Sequence, residues 1–365
     1  MHPITAFFKL VRLGIGAPCN TRVRLDAQGW NAVAEMAHKQ TLSAVVLDGI
    51  IRLAKEDRPP HDIVLRLISL TQKIETDNRR LNKILVKVCR RFEQEGMPGV
   101  VLKGQGVAAL YPNPLHRTSG DIDLWVKGTR TEIINYARHF CPHGEALYHH
   151  VDFNVLKEVD IELHYKPSWM NQWAVNRRAQ RFFAACLAPS LQNKIMLPEE
   201  TGMIAVPTLL MNRVFMLMHI CRHVFSEGVG FRQLLDYYFV LLQPCPDDVR
   251  AETLRVIRQL RLTRLAGAVM YVLQIAFGLP DECLLVPPAE DRGKRLLREI
   301  LLAGNFGKYD ERIHRAEDET RFRRFWRRVG RDLTFTADYP GEALWSPVFK
   351  VYHYIWRKKN GFLAD

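Results

Sequence analysis

The stretch RTSGDIDLWV, residues 117–126, sets two aspartates one residue apart in an apolar run directly behind a Ser-Gly turn. Alternate residues of a strand face the same way, so DIDLWV reads as a strand with Asp121, Asp123 and Trp125 on one face. Ile122, Leu124 and Val126 then face an apolar layer. Two carboxylates pinned about 6–7 Å apart by the rise of a strand repel each other, and they stay ionised only where a cation compensates them. A hard divalent ion suits the pair, because Mg²⁺ binds protein through one or two carboxylates and completes its shell with water and phosphate oxygens. The two aspartates predict a metal site of the phosphoryl-transfer kind.

A second alternating run, VDIELHY (159–165), repeats the device with Asp160, Glu162 and His164 on one face. If the two strands are neighbours, a third carboxylate, Asp160 or Glu162, comes within reach of the first two. Two metal ions about 3.5–4 Å apart could then clamp the attacking and leaving oxygens of an in-line displacement, with the third carboxylate turned to the nucleophilic hydroxyl. Around these runs the period stays short. GVVLKG (99–104) predicts a strand ending in a Lys-Gly turn, GVAALY a helical turn or two, and YHHVDFNV (148–155) a strand that makes a hairpin with 159–165 across Leu156, Lys157 and Glu158. Between them TRTEIINYARHF (129–140) opens with the Thr129/Glu132 spacing of a capping box and predicts a helix.

Working outward, both flanks read as helical. Trp30, Val33, Ala34 and Ala37 recur at helical spacing, as do Ile63, Leu67 and Leu70, and the helix that follows Pro59-Pro60 stops at Gly96 before Pro98. Leu210, Val214, Leu217, Cys221 and Val224 predict an apolar helical stripe, and Leu254 to Phe277 a further helix. The expected architecture is α+β: a helical region over 1–96, a small mixed-sheet core over 97–206 and a second helical region over 207–365.

No apolar run reaches the roughly 20 residues a bilayer needs; the longest uncharged stretch, Leu265 to Pro280, reads as a buried helix. Lys9 and Arg12 interrupt the place where a signal peptide carries its apolar block, so a cytoplasmic location is expected. Seven scattered cysteines without a CxxC spacing argue against a disulfide framework and a zinc ribbon. A net charge of +13 favours anionic partners. The basic segment from Arg292 to Arg331, with its RFRRFWRR run, offers a nucleic-acid contact, although Phe322, Phe325, Trp326 and Val329 at helical spacing read first as residues packed inward behind a solvated basic face.

The run from VVLKG through HRTSGDIDLWV to VDIELHY, and on to HVFSEGVGFRQLLDY, resembles the uncharacterised nucleotidyltransferase family of the polymerase-β-like superfamily over roughly residues 30–240. The matching positions are Lys103-Gly104, Arg117 with Asp121 and Asp123, Glu162 with His164, and the helical set His219, His223, Arg232 and Asp236. The resemblance implies a nucleotidyltransferase that moves a nucleoside monophosphate from an NTP such as ATP to a hydroxyl-bearing acceptor and releases pyrophosphate. The acceptor class, small molecule, protein or RNA, stays open. It implies Mg²⁺, two ions with NTP bound and Mn²⁺ as a substitute, on Asp121, Asp123 and Glu162, the acid two residues before the histidine. Phosphate contacts fall to Lys103, Gly104, Arg117, Ser119 and Gly120, and His164, His219, His223, Arg232 and Asp236 form a polar wall, continued by Glu227, or an interdomain brace. The HICRH spacing of His219 and His223 lacks the glutamate of a zinc-protease helix. One departure stands out: the turn reads LKGQG, with Gln105 where the superfamily has serine, which leaves a nucleotide- or nucleic-acid-binding module without turnover as the alternative.

Overall fold

The computed structural model describes residues 1–20, 22–156, 158–226, 228–305 and 320–362, with backbone alone at 321, 322 and 324. The alternating runs become strands β1 (Gly99–Val101), β2 (Ile122–Val126), β3 (His150–Asp152) and β4 (Ile161–His164), in the spatial order β1-β2-β4-β3. β2 and β4 are parallel neighbours, while the outer pairs are antiparallel, so the predicted hairpin of β3 and β4 forms. Lys157 in its connection lies outside the described residues. The register sets Asp123 beside Glu162 and Trp125 beside His164. Parallel neighbours in register present the same face at each rung, so the carboxylates lie side by side.

The two faces of β2 enter different cores. Ile122, Leu124 and Val126 join Val151, Ile161 and Leu163 in one apolar layer, and Trp125 joins a larger helical core on the other side. Four helices precede or lead into the sheet: α1 (Pro3–Gly14), α2 (Ala27–Lys39), α3 (Ser43–Ile51) and α4 (His61–Gln94). At 34 residues α4 runs about 51 Å and serves both cores. Ile63 and Leu67 enter the helical one, Leu81, Leu85 and Phe92 the sheet-side one. It stops before Gly96, whose φ of +72° suits the turn into β1.

Downstream come the single turn α5 (Gln105–Ala108) and α6 (Arg130–Phe140), whose capping box is closed from both sides by Thr129 and Glu132. Then follow α7 (Trp173–Gln192) and a separate hairpin of β5 (Lys194–Met196) and β6 (Met203–Ala205), neither of which the periodicity predicts. α8 (Leu209–Phe225) is buried on almost every side, Met211, Phe215, Met218 and Ile220 included, where a single stripe is expected. α9 (Phe231–Leu242) follows it, and the helix expected over 254–277 is two, α10 (Asp247–Gln259) and α11 (Thr263–Phe277). They break at Arg261, which takes a φ of +58° without any glycine or proline to announce it. The buried helix expected over 265–280 is α11.

The last helices are α12 (Glu290–Ala303), α13 (Arg321–Thr334) and α14 (Pro340–Lys359). On α13 Val329 is buried, but Trp326 is 55% exposed, so the inward stripe expected there is not what forms; the Phe322 side chain lies outside the described residues. No helix among the described residues is long and apolar enough to cross a membrane. The helical regions on either side of the sheet share one core: Phe7 and Phe8 of α1 pack on Phe231 of α9, with ring centroids 6.0 and 5.1 Å apart.

Between α3 and α4 a histidine closes the turn ahead of β2. His116 sets Nδ1 2.7 Å from Asp48 and Nε2 2.9 Å from Glu75. Burial opposes its charge, but the two carboxylates outweigh burial and hold the imidazolium above its ordinary pKa. A folded-state pKa raised above the unfolded value stabilises below about 6.5, and that contribution fades as pH rises through the folded value. His116→Gln is therefore expected to cost about 1–2 kcal/mol at pH 6 and less at pH 9, read from urea unfolding at both; equal costs would show the ring neutral throughout.

Candidate active site

β1 ends at Val101, and after Leu102 the next two residues take backbone conformations that side-chain-bearing residues avoid: φ is +28° at Lys103 and +59°, with ψ −125°, at Gly104. That corner turns Lys103 back over the face of β2. Its ammonium lies 2.9 Å from Asp123 Oδ2 and 3.3 Å from Asp121 Oδ2. The compensating cation that the paired aspartates require is, in the chain itself, Lys103. Burial works against its charge, yet Asp121, Asp123 and Glu162 together hold its pKa above the usual lysine value.

The register of β2 and β4 completes the centre. His164 Nε2 sits 2.9 Å from Asp123 Oδ1 and 3.2 Å from Glu162 Oε2, and His150 Nδ1 sits 3.0 Å from Glu162 Oε2. Burial disfavours the charged His164, but the two carboxylates push its pKa up to about 9. Glu162 is held well below the carboxylate range despite burial, chiefly by His164 and then His150. Asp121 is lowered, since Lys103 outweighs its desolvation, whereas Asp123, fully buried and beside Asp121, is raised. Asp160 is exposed and lies one residue before β4. The carboxylate in register with Asp123 is Glu162.

The loop that carries Arg117, Ser119 and Gly120 is tied to α9. Arg117 donates from Nε and Nη2 to the two carboxylate oxygens of Asp236, at 2.7 and 2.8 Å, and Tyr111 Oη donates to the same carboxylate at 2.7 Å. Arg232, one turn before Asp236, donates to the carbonyls of Thr118 and Ser119. The guanidinium of Arg117 thus acts as a brace that aims the Ser-Gly turn, with the wall residue Asp236 as its partner, while Arg232 holds the turn's carbonyls directly. Arg117, Arg232 and Asp236, with Lys103, Gly104, Gly120 and Asp121, line a small cleft. His219 reaches the same cleft, and its Nε2 lies 3.1 Å from that of His223. Burial, followed by the charge of Lys103, drives His223 down to about 3, and burial with the neighbouring ring lowers His219 as well, so these two imidazoles are neutral. Glu227 lies outside the described residues.

Gln105 explains how the LKGQG turn differs. Its amide nitrogen donates to Asn82 Oδ1 at 2.6 Å and to Asn78 Oδ1 at 3.2 Å, both on α4, and Asn78 in turn donates to the carbonyls of Leu115 and Arg117. The side chain at this position locks the turn to α4 and the loop before β2. Sequence reasoning missed Asn78 and Asn82; their i, i+4 spacing in NRRLN was the available signal. It also missed His149 and His150, which stood in plain view as a His-His pair on an alternating strand.

The donor set suits a hard divalent ion. Asp121, Asp123 and Glu162 offer carboxylate oxygens on one face, and the ligand atoms of Asp123, Glu162 and His164 lie within 4.8 Å of one another. Because Lys103 is the resident counter-charge, Lys103→Met is expected to destabilise the fold by about 2 kcal/mol and Mg²⁺ to restore part of it. Urea unfolding with and without Mg²⁺ checks this; a midpoint unmoved by the substitution would show that the ammonium does not hold the carboxylates.

A family model described as an uncharacterised nucleotidyltransferase matches residues 26–278, a span that takes in the sheet, the cleft and helices α2 to α11. No curated protein matches the chain, and no solved structure does.

Proposed function

The chain belongs to the uncharacterised nucleotidyltransferase family, and from that premise we propose that it transfers a nucleoside monophosphate from an NTP to a hydroxyl-bearing acceptor, with Mg²⁺, releasing pyrophosphate. The observation that carries this reading is the side-by-side placement of Asp123 and Glu162 on parallel strands, with Asp121 immediately before β2 and a cleft opening beside it. Asp121, Asp123 and Glu162 would hold the ion. Bound there, it would supply Lewis-acid stabilisation of charge on the phosphoryl oxygens.

The chain's own groups do the rest. Lys103 and Arg232 give the cleft its positive wall for the triphosphate, and the exposed Gly120 leaves the backbone open to a phosphate oxygen. Glu162, held ionised by His164 and His150, is a hydrogen-bond acceptor suited to orienting the acceptor hydroxyl and a weak proton acceptor. The neutral His219 and His223 add hydrogen-bonding capacity without repelling cations.

A second reading, a module that binds nucleotide without turnover, draws on Gln105, whose side chain turns to α4 and away from the cleft. One experiment separates them. The protein is incubated with each NTP labelled in its α-phosphate, Mg²⁺ and a cell extract, and pyrophosphate release and the position of the label are followed. Label on an acceptor with matching pyrophosphate supports transfer; Mg²⁺-dependent NTP binding in calorimetry without pyrophosphate from any NTP supports the module.

A further inference from the structure

Helix α14 is firmly seated on one side. Ala343, Ser346 and Phe349 are buried, Phe349 stacks on Trp169 with ring centroids 5.9 Å apart, and the buried Glu342 accepts from the Asn171 amide at 2.9 Å and from Arg222 Nη1 at 3.2 Å. Asp332 of α13 accepts from Ser346 and Lys350. The other side is apolar and open. Leu344, Val348, Val351 and Ile355, at steps of four, three and four, share one face, Tyr352 and Tyr354 flank them, and all six are 39–56% exposed. A docked surface helix ordinarily turns polar residues to water, so an apolar outer face about three turns long marks an interaction surface.

We propose that this face of α14 docks in plane on a membrane surface rich in anionic lipid, without crossing it. The same face ends in Lys358 and Lys359, three and four residues beyond Ile355 and both exposed. No exposed residue of α14 is acidic, and the chain carries a net charge of +13. The aliphatic side chains enter the boundary between headgroups and acyl chains while the two ammonium groups meet lipid phosphates. The flank suits that depth: the exposed Trp173 has its ring centroid 6.0 Å from Trp345 and 6.1 Å from Tyr352, and Trp and Tyr favour the headgroup level. On the neighbouring α13, Arg323 and Arg328 add exposed positive charge. A second copy laid on the face would set its lysines against a helix surface with no exposed carboxylate, and RNA would use the charge but leave the aliphatic side chains uncovered. Anionic lipid answers both the apolar face and the charge. The face lies beyond the family match at residues 26–278, and its docking asks nothing of the proposed transfer.

Flotation of the full chain with phosphatidylcholine vesicles, with and without about 30% phosphatidylserine, tests this. Binding to the anionic vesicles is expected to be about tenfold or more tighter than to the neutral ones, and to weaken as NaCl rises from about 0.1 to about 0.5 M. A basic chain adheres to anionic lipid through charge alone, so the decisive variant leaves charge untouched: Val351→Ser with Ile355→Ser should weaken binding about tenfold. Lys358→Ala with Lys359→Ala should weaken it about tenfold or more, and the urea midpoints of both variants should stay put, since all four positions are exposed. No binding to anionic vesicles, or binding indifferent to the serine pair, overturns the proposal. So does self-association of the lipid-free chain in sedimentation, or RNA binding, that the serine pair abolishes, because either gives the face another occupant. On the wild-type chain, lipids brominated in their acyl chains are expected to quench part of the tryptophan fluorescence through Trp173 and Trp345; fluorescence left unquenched while the chain is bound overturns docking by this face.

Discussion

Arg117→Met is expected to cost the fold about 3–5 kcal/mol, a large part of the roughly 5–15 kcal/mol that holds a domain together. Exposed ion pairs contribute little, but this one is of another kind: Arg117 is 4% and Asp236 2% exposed, and the contact is bidentate. Removing the guanidinium leaves a carboxylate in the core with Tyr111 still donating to it and the Ser-Gly turn released from its brace. Asp236→Leu is expected to be at least as costly, since it strands Arg117 beside the buried Arg232. The double variant should cost clearly less than the sum of the two, because a paired apolar replacement leaves no orphaned charge between those positions. Urea unfolding of the three variants measures the coupling. Additive costs would show that Arg117 and Asp236 are neighbours without being partners.

That pair also marks where sequence reading stops. An arginine four residues before Asp-x-Asp is as suited to phosphate as to a carboxylate, and nothing local says that its partner is Asp236, on a helix beyond the whole sheet. The local signals were legible: period two for β2 and β4, the Thr129/Glu132 box for α6, Gly96 and Pro98 for the end of α4. So was the face on which Asp121 and Asp123 lie. The parallel pairing of β2 with β4 was only a condition in the sequence, since it depends on how α6 and β3 cross the sheet. β5 and β6 are three residues each, too short for a period to show, and the break at Arg261 is made by a left-handed residue with no composition cue. Trp326 sits at a spacing that predicts burial, yet tertiary packing leaves it exposed. Local rules name the surfaces an element offers; they do not say which of them the rest of the chain covers.

Asp121→Asn is expected to reduce nucleotidyl transfer by about a thousandfold or more. A carboxylate that holds the metal supplies several kcal/mol of charge stabilisation in the transition state, and about 4 kcal/mol is about three decades of rate. Asp121 is the carboxylate to change because it is only half-buried, with a side chain 31% exposed, so the amide can be solvated and stability should move by about 1 kcal/mol or less. Asp123, 3% exposed between Lys103 and His164, would confound activity with folding. Glu162→Gln should fall with Asp121→Asn, whereas Asp160→Asn, at an exposed position outside β4, should stay near wild type. Label transfer and pyrophosphate release, with urea unfolding alongside, read all three. Full turnover in Asp121→Asn would remove the metal from the mechanism; loss in Asp160→Asn with retention in Glu162→Gln would move the third carboxylate one turn of the pleat toward the N-terminus of β4.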